Sequence, residues 1–329
     1  MRQLLSLFLF LLFLTSCETD FELEAPWQDI PIVYGFLSRQ DTAHYIRVEK
    51  AFLEPGGDAT QIALIPDSIY YGPEVLVELE RINSGQRFTL ERVDGNLEGY
   101  PRDEGPFVTS PNILYKINAT TINLREGEPY QLRIDRGGEL PIVTAETNII
   151  EDLIIRENNP VSPINMAYDR NVTFVFNAGE AAQLFDVRLR IKYRERESNG
   201  PSVDKELIWV LADQLERSSS EGRVSVSVMG EEFYRFIGGS LEANPALSRD
   251  FVAMDVLLAA GGQEMVDFIR VSEANTGITS SQLVPTFTNI SEGRGIFTSR
   301  SVAERLNLTL TGLSVDSLRN GIYTQDLNF

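Results

Sequence analysis

The sequence contains almost no cysteine or histidine. Its 329 residues include one cysteine, Cys17, and one histidine, His44. Disulfides within the chain and zinc sites of the His/Cys type are therefore excluded. A Ser-His-Asp triad would have to use His44, which opens a predicted strand in DTAHYIRV; such a residue is more often an exposed or hydrogen-bonded strand histidine than a catalytic one. No Asp-x-Asp-x-Asp loop occurs that would bind calcium, so we predict neither a metal nor a cofactor.

The sequence also lacks an apolar run long enough to cross a bilayer. Residues 4–14 are almost wholly apolar, but that run is shorter than the roughly 20 residues that a transmembrane helix needs. A positive charge at Arg2, a short apolar core and small residues after it are typical of a secretory signal peptide. We predict that residues 1–16 are such a peptide.

The predicted signal peptide ends in Leu14-Thr15-Ser16-Cys17, which resembles the bacterial lipobox. In signals of that kind the cysteine thiol takes a diacylglycerol, the peptide bond before it is cut, and the new amino group is acylated. Stable anchoring needs more than one acyl chain, and this modification supplies three. We therefore predict Cys17 as the lipidation site; the alternative is a chance cysteine beside an ordinary signal peptide.

Positive charge is scarce as well. The sequence has 29 lysines and arginines against 48 aspartates and glutamates, and loss of Arg2 with the signal peptide gives 28 − 48 = −20. Such a surface repels nucleic-acid phosphates and anionic lipid head groups, which argues against nucleic-acid binding and against a second membrane attachment. Residues 17–29, the predicted lipidated tether, partly resemble the Bacteroidetes signal for display outside the outer membrane. The residues responsible are Glu18, Asp20, Glu22 and Glu24.

Short alternating strands predict a mainly β chain. Near Val77 apolar and acidic residues alternate, a turn follows at Asn83-Ser84-Gly85, and a second alternating strand returns from Phe88, which is a hairpin signal. The segment LREGEPYQLRID repeats this pattern at residues 124–135. Such spacing is typical of antiparallel sandwiches. The loop at residues 95–112 is long for that fold, so we expect it to be functional or mobile.

Asn and Pro cluster in RENNPVSPIN, residues 156–165, and mark a predicted boundary. We predict two β-sandwich-like domains, residues 30–155 and 156–329. In the second, EEFYRFIGGSL has helical spacing and ends at Gly238-Gly239, as a helix terminus does. QEMVDFIRVSEAN is ambiguous between helix and strand, and LNLTLTGL alternates as a final strand. The second domain should therefore contain one or two short helices.

The strand DVRLRIKYRER carries a basic stripe. Alternate residues of a strand point to opposite faces, so its apolar residues share one face and its basic residues the other. The stripe is either a solvated face balanced by glutamates on neighbouring strands or a docking face for an anionic ligand or acidic partner. The basic residues are Arg188, Arg190, Lys192, Arg194 and Arg196.

A second candidate interaction patch consists of Arg294 and Arg300, near the Gly-rich turn in NISEGRGIF. The alternative for this segment is a tight connection that packs Ile296 and Phe297 into the core. In that case the two arginines have no special role.

The stretch VPTFTNISEGRGIFTSRS resembles the closing motif of a Bacteroidetes lipoprotein family catalogued as domain of unknown function 4249. IPIVYGFL and AAQLFDVRLRIKYRE are similar to the first and central strands of that family, so the resemblance spans nearly the whole mature chain. The matching residues of the closing motif are Pro285, Thr288, Asn289, Ile290, Gly293, Gly295, Ile296, Phe297, Ser299 and Arg300.

The resemblance implies a lipid-anchored outer-membrane protein without enzymatic activity, an accessory or binding partner of a TonB-dependent receptor. Whether it faces the cell surface or the periplasm stays open, as does any small-molecule or glycan ligand. A surface glycan hydrolase is the alternative, because two carboxylates suffice for that chemistry and the chain has many acidic residues.

Three short motifs resemble the Bacteroidetes O-glycosylation signal, Asp followed by Ser or Thr and a small or aliphatic residue. Their candidate acceptors are Thr42, Ser68 and Ser317, which we expect in turns or at strand edges.

Overall fold

The computed structural model describes residues 29–51, 58–197, 200–218, 222–274 and 286–329. The predicted signal peptide, the lipidation site Cys17, the acidic tether up to residue 28 and Pro285 lie outside the described residues. Within the described ranges, every helix is too short or too polar to span a bilayer.

Strands predominate in the described part of the chain, which confirms the predicted mainly β class. They form sheets of eight, three and four strands. In chain order the strands are β1 Pro31–Leu37, β2 Ala43–Lys50, β3 Leu76–Arg81, β4 Gln86–Thr89, β5 Glu91–Asp94, β6 Ile113–Asn118, β7 Pro129–Asp135, β8 Val143–Asn148, β9 Ile154–Ile155, β10 Asn171–Asn177, β11 Leu184–Glu197, β12 Ser202–Glu216, β13 Arg223–Met229, β14 Leu247–Gly261 and β15 Arg294–Leu308.

Helices are short and more numerous in the second half than the sequence predicted. Three lie beyond residue 156, where one or two were expected. In chain order the described helices are α1 Ala59–Ile62, α2 Pro66–Ile69, α3 Ala119–Ile122, α4 Gly230–Ser240, α5 Gln263–Ala274 and α6 Gly312–Asn320, and a 3₁₀ turn spans Gln325–Leu327.

Two sequence predictions in the second half have different outcomes. The helix expected in EEFYRFIGGSL is confirmed as α4, and the ambiguous segment after it is helical as α5. The final strand expected in LNLTLTGL is wrong beyond Leu308, where β15 ends and α6 soon begins at Gly312. Thr311 caps α6 by accepting a hydrogen bond from the Ser314 amide, and such a cap favours a helix over continued strand.

One sheet connects both halves of the chain. Its strand order is β12-β11-β14-β15-β1-β2-β6-β5. Strand β15 pairs in parallel with β1 and antiparallel with β14. The two sandwich-like halves therefore share the eight-stranded sheet, with the four-stranded sheet packed on one half and the three-stranded sheet on the other.

Two hydrophobic cores lie on the same side of that sheet. The N-terminal core includes Val33, Leu79 and Tyr130, and it also takes Ile290 and Phe297 from far along the chain. The C-terminal core is built from strands β10, β11 and β14 with helices α4 and α6; its fully buried aromatic residues are Phe174, Phe176, Phe185, Phe233 and Tyr234. The predicted boundary at residues 156–165 lies between these cores in sequence, but residues 290–297 return to the first core.

Candidate functional site

The side of the eight-stranded sheet opposite the two cores is here called the open face. In the described part of the chain, no second sheet packs on it. Six of its large apolar side chains are between 36% and 50% exposed. They are Tyr34, Phe36, Ile208, Val210, Val302 and Leu306.

The basic stripe lies on the open face. Strand β11 alternates as predicted: Val187, Leu189 and Ile191 are buried in the C-terminal core, while Arg188 and Arg194 are exposed. Cross-strand register places Val210 beside Arg188 and Ile208 beside Arg190, so apolar and basic side chains are interleaved. This mixture of charge and apolar surface is compatible with a protein interface.

Carboxylates on the same and neighbouring strands balance most of the stripe. Arg188 lies 3.7 Å from Asp186, Arg190 lies 3.5 Å from Glu206, and Arg194 lies 2.6 Å from Asp204. Two of these three carboxylates belong to aspartates, whereas the sequence analysis expected glutamates. Exposed ion pairs of this kind contribute little stability, but they reduce the attraction of the stripe for an anion.

Asp255 of β14 has no exposed surface and holds the centre of the stripe. It lies 2.7 Å from Lys192 Nζ and 3.4 Å from Arg190 Nη1, and it accepts a hydrogen bond from the Asn307 amide at 2.9 Å. Burial opposes ionisation, but the hydrogen bonds from Lys192 and Asn307 outweigh it and lower the pKa of Asp255. Arg190 and Lys192 are thus held in place by the buried carboxylate of Asp255.

The structure does not bring Arg294 and Arg300 together. They lie six positions apart on β15, which separates them by roughly 20 Å along the strand. Arg300 makes two contacts of 3.0 Å with the Asp41 carboxylate, and Arg294 donates to the Gly293 carbonyl. Ile296 and Phe297 are buried, as expected if this segment is a tight connection that packs them into the protein.

A pocket of about 770 Å³ opens on the open face where β1, β2 and β6 lie near Arg300 in the middle of β15. Its size is in the range of small-molecule sites. The residues that line it are Phe36, Gln40, Asp41, Thr42, Ala43, Tyr45, Arg47, Tyr100, Leu114 and Arg300. Sequence reasoning singled out Arg300 and Thr42 but missed the aromatic residues and Arg47.

The segment 95–112 forms one wall of the pocket. Tyr100 packs against Tyr45 with ring centroids 4.6 Å apart. The Tyr100 backbone is held at both ends: its amide donates to the Gly95 carbonyl, and its carbonyl accepts from the buried Asn112 side chain at 2.8 Å. The segment predicted to be a functional or mobile loop therefore lines the pocket, and Asn112 is one of the residues that attach it to the sheet.

The opposite wall is the turn before β2. The Gln40 side chain donates to the Val302 carbonyl and accepts from the Val302 amide, which attaches this turn to β15. The Asp41–Arg300 pair adds a second attachment. Both walls therefore have fixed positions over the floor formed by Tyr45, Arg47 and Leu114.

His44 differs from its prediction. It lies in β2 as expected, but it points into the protein, is 1% exposed, and neither ring nitrogen has a hydrogen-bond partner among the described residues. Burial lowers the pKa of His44, and the negative charge of Asp41 partly opposes that shift. The alternation of β2, in which Ile46 and Val48 are also buried, is the reason for its inward position.

The candidate glycosylation residues differ in context. Thr42 is exposed in the turn before β2. Ser68 lies in helix α2, and Ser317 lies in helix α6, where its hydroxyl donates to the Leu313 carbonyl. The expectation of turns or strand edges is therefore wrong for the two serines.

The residues of the family-like closing motif have structural roles. The Asn289 side chain donates to the Phe297 carbonyl and accepts from the Phe297 amide. It therefore makes the same two hydrogen bonds with Phe297 that the backbone of a paired strand would make. Ser299 donates to the Asn148 carbonyl and accepts from the Ile150 amide. Gly295 has φ of +108°, and a Cβ there would lie 1.9 Å from the Val33 carbonyl oxygen. This motif joins β15 to β1 and β8.

Comparison with known proteins identifies no family. No family model matches the chain, and no curated protein matches it. Among solved structures, the C-terminal globular domain of an oligosaccharyltransferase from Pyrococcus abyssi aligns with 10% identity and a TM-score of 0.26, over 70% of this chain and 47% of that one. The IG1 and IG2 domains of DIP-gamma align with 9% identity and a TM-score of 0.18, over 85% of this chain and 97% of that one. Likeness at this level carries no argument about fold or function.

The pocket does not contain the carboxylate pair that a glycosidase needs. Asp41 is the single acidic residue among those that line it, and it is paired with Arg300. Retaining and inverting enzymes both require two carboxyl groups on opposite sides of the bond to be cut. Among the described residues no cluster of acidic or histidine side chains could hold a metal ion either. The hydrolase alternative therefore finds no support in this pocket and stays a prediction.

Proposed function

We propose that the protein is a lipid-anchored outer-membrane lipoprotein that acts, without catalysis of its own, as an accessory or binding partner of a TonB-dependent transport system. The observation that carries the proposal is the open face, a long sheet surface with exposed apolar residues between charged rows. Exposed apolar side chains that lie among charged ones are compatible with an interaction surface. The resemblance to the Bacteroidetes lipoprotein family supports the identity of the partner.

The attachment of the predicted tether supports this role. Asp29, the first described residue, accepts hydrogen bonds from the Tyr71 hydroxyl and, through its carbonyl, from Arg136 at 2.7 Å. The Arg136 side chain is almost fully buried. Asp29, the last residue of the predicted tether, is therefore held by the body. Confinement to a membrane plane through the predicted lipid would raise the effective concentration toward a membrane partner.

The direction of β1 separates the pocket from Asp29, the last residue of the predicted tether. This strand begins near Asp29 and runs through residue 37 toward the pocket at its other end, a span of roughly 20 Å. Anchoring through the predicted N-terminal lipid would therefore attach the body at the end of β1 that is opposite the pocket.

The proposal is tested by crosslinking and affinity purification of the lipoprotein from its native host at low salt. We expect a TonB-dependent receptor to copurify, and the variant Arg188→Glu/Val210→Ser to reduce its recovery. These cross-strand neighbours are exposed, and Arg188 has only a 3.7 Å contact with Asp186. Arg190 is unsuitable for charge reversal because a glutamate would face the buried Asp255.

Arg125→Glu is the matched control. Arg125 is 59% exposed, lies outside the eight-stranded sheet and pairs with Glu128 at 3.5 Å. Its reversal should leave receptor recovery unchanged. Docking through the open face would be contradicted if the folded lipoprotein were recovered without a receptor. It would also be contradicted if the wild type, the double variant and the Arg125→Glu control recovered equal amounts of receptor.

A further inference from the structure

The loop between β7 and β8, residues 136–142, presents apolar side chains to solvent. Leu140 is 45% exposed and Ile142 is 42% exposed. Leu76, which is 40% exposed, lies directly opposite Asp135, the last residue of β7 before this loop. The end of the four-stranded sheet at this loop therefore carries three exposed aliphatic side chains.

Arg136 joins this loop to the residue at which the described chain begins. Its guanidinium donates through Nη1 to the Asp29 carbonyl at 2.7 Å and through Nη2 to the Pro141 carbonyl at 3.0 Å. Pro141 lies between Leu140 and Ile142 in the sequence. The Arg136 side chain is 2% exposed, and its Nη1 lies 3.6 Å from the Asp29 carboxylate. One planar group therefore binds both the last residue of the predicted tether and the apolar loop.

The predicted anchor limits the distance between this loop and a membrane. Cys17 lies twelve positions before Asp29, and a chain of that length spans at most about 40 Å when fully extended. Because Arg136 holds the loop against Asp29, a lipid on Cys17 confines the loop to a similar distance from the bilayer. Such confinement raises the local concentration of one surface toward the other, so a contact that is weak in solution becomes populated.

The charge around the aliphatic side chains selects the region of the bilayer that they can contact. Apart from the buried pair described above, the exposed carboxylates are those of Glu74, Asp135 and Glu139. Lys50, which is paired with the first residue of β1, supplies one positive charge at the same end. This balance gives no attraction for anionic head groups. Since carboxylates are costly to place in hydrocarbon, the contact is limited to the interfacial region of the bilayer.

We propose that the β7–β8 loop contacts the interfacial region of a zwitterionic phospholipid bilayer when the protein is anchored, and that Leu140 and Ile142 enter that region. This inference rests on the lipid anchor of the proposed function and is independent of the receptor. It differs from the electrostatic attachment that the acidic composition argues against, because burial of aliphatic surface supplies the attraction. The pocket, at the other end of β1, stays outside this contact.

The test is fluorescence of the full-length lipoprotein in phosphatidylcholine vesicles that contain a spin-labelled lipid as quencher. Leu140→Cys carries an environment-sensitive probe, and lipidation of Cys17 leaves the new cysteine as the single free thiol. Leu97→Cys is the matched control, because Leu97 is 88% exposed and belongs to the segment that lines the pocket. We expect blue-shifted and quenched emission at position 140 and neither effect at position 97. Addition of phosphatidylglycerol should not increase the quenching.

A probe on Leu76→Cys shows whether the loop side chains cause the contact. Its emission should be quenched, and Leu140→Ser/Ile142→Ser should remove that quenching because it removes the aliphatic surface. Both substituted side chains are exposed, and Arg136 binds the backbone carbonyl of Pro141. The double variant should therefore fold, and its urea denaturation midpoint checks this.

Flotation of the vesicles in the same experiment separates this proposal from the anchor. The loop contact is overturned, with the anchor intact, if the protein floats but emission is the same at positions 140 and 97. The same conclusion follows if the probe on Leu76→Cys stays quenched in the double-serine variant, or if quenching requires anionic lipid. A protein that does not float overturns the anchor and the loop contact together.

Discussion

The carboxylate of Asp255, which is completely buried, lies 2.7 Å from the ammonium group of Lys192 on the neighbouring strand. This contact and the weaker one to Arg190 join the basic stripe to the interior of the sheet. A buried ion pair is costly to break from one side, because the remaining charge loses its partner. The centre of the stripe is therefore a structural element, and its exposed ends are the parts available to a partner.

Asp255→Asn should destabilise the protein by about 2–3 kcal/mol, the range for loss of hydrogen bonds to a buried charged group. Urea denaturation at neutral pH measures this change. Since the folded pKa of Asp255 is lowered from 3.8, its contribution is present above that value and is lost as the pH falls through the folded pKa. Asp204→Asn, at an exposed partner of Arg194, is the control and should have a much smaller effect. Equal effects would contradict the special position of Asp255.

His44 should make stability depend on pH. Its folded pKa lies below the ordinary 6.5, so the unfolded chain binds the proton more readily and protonation favours unfolding. Stability is complete above about pH 6.5 and decreases as the pH falls from there toward the folded pKa. Denaturation midpoints at a series of pH values between 5 and 8 measure this slope, to which no other histidine of the chain contributes.

His44→Leu provides the control for that slope. Leucine removes two buried nitrogens that have no partner among the described residues. The variant should be neutral or up to about 1 kcal/mol more stable at pH 7, and its stability should vary less between pH 5 and 7. An unchanged slope would show that another group is responsible.

Gly295→Ala should destabilise the protein by at least about 3 kcal/mol, since it combines a strained backbone with overpacking. The added Cβ would lie 1.9 Å from the Val33 carbonyl oxygen in the parallel pairing of β1 and β15. In Gly239→Ala, within α4, the Cβ meets open space, and the helix should gain up to about 1 kcal/mol. Thermal or urea unfolding of both variants measures the contrast. A mild effect at Gly295 would mean that β15 can shift away from β1.

Cys17→Ala should abolish membrane attachment, because it removes the thiol at which we predict lipidation. Metabolic labelling with a fatty acid, followed by detergent phase separation, should label the wild type and leave the Cys17→Ala variant unlabelled. Ser16→Gly keeps a small residue before the cysteine and should still be labelled. If the alanine variant remains in the membrane fraction, Cys17 is not the anchor.

Local patterns in the sequence were sufficient to predict several secondary-structure elements. The period of two in DVRLRIKYRER determined which residues of β11 are buried, and the turn at Asn83-Ser84-Gly85 determined the hairpin of β3 and β4. Helical spacing before Gly238-Gly239 determined α4. These features depend on neighbours along the chain, so sequence alone contains the information.

The pocket and the shared sheet depend on contacts that local patterns do not encode. Tyr45 and Arg47 alternate with buried residues and could have been assigned to one face, but no periodicity links them to Tyr100 or to Arg300, more than 250 residues later. That proximity follows from the parallel pairing of β1 with β15, whose hydrogen bonds join distant segments. The sequence by itself determined the class of elements and the charge of their faces. Which faces meet, and which charges become buried, was decided by tertiary pairing, because strand partners are selected by long-range packing and not by local propensity.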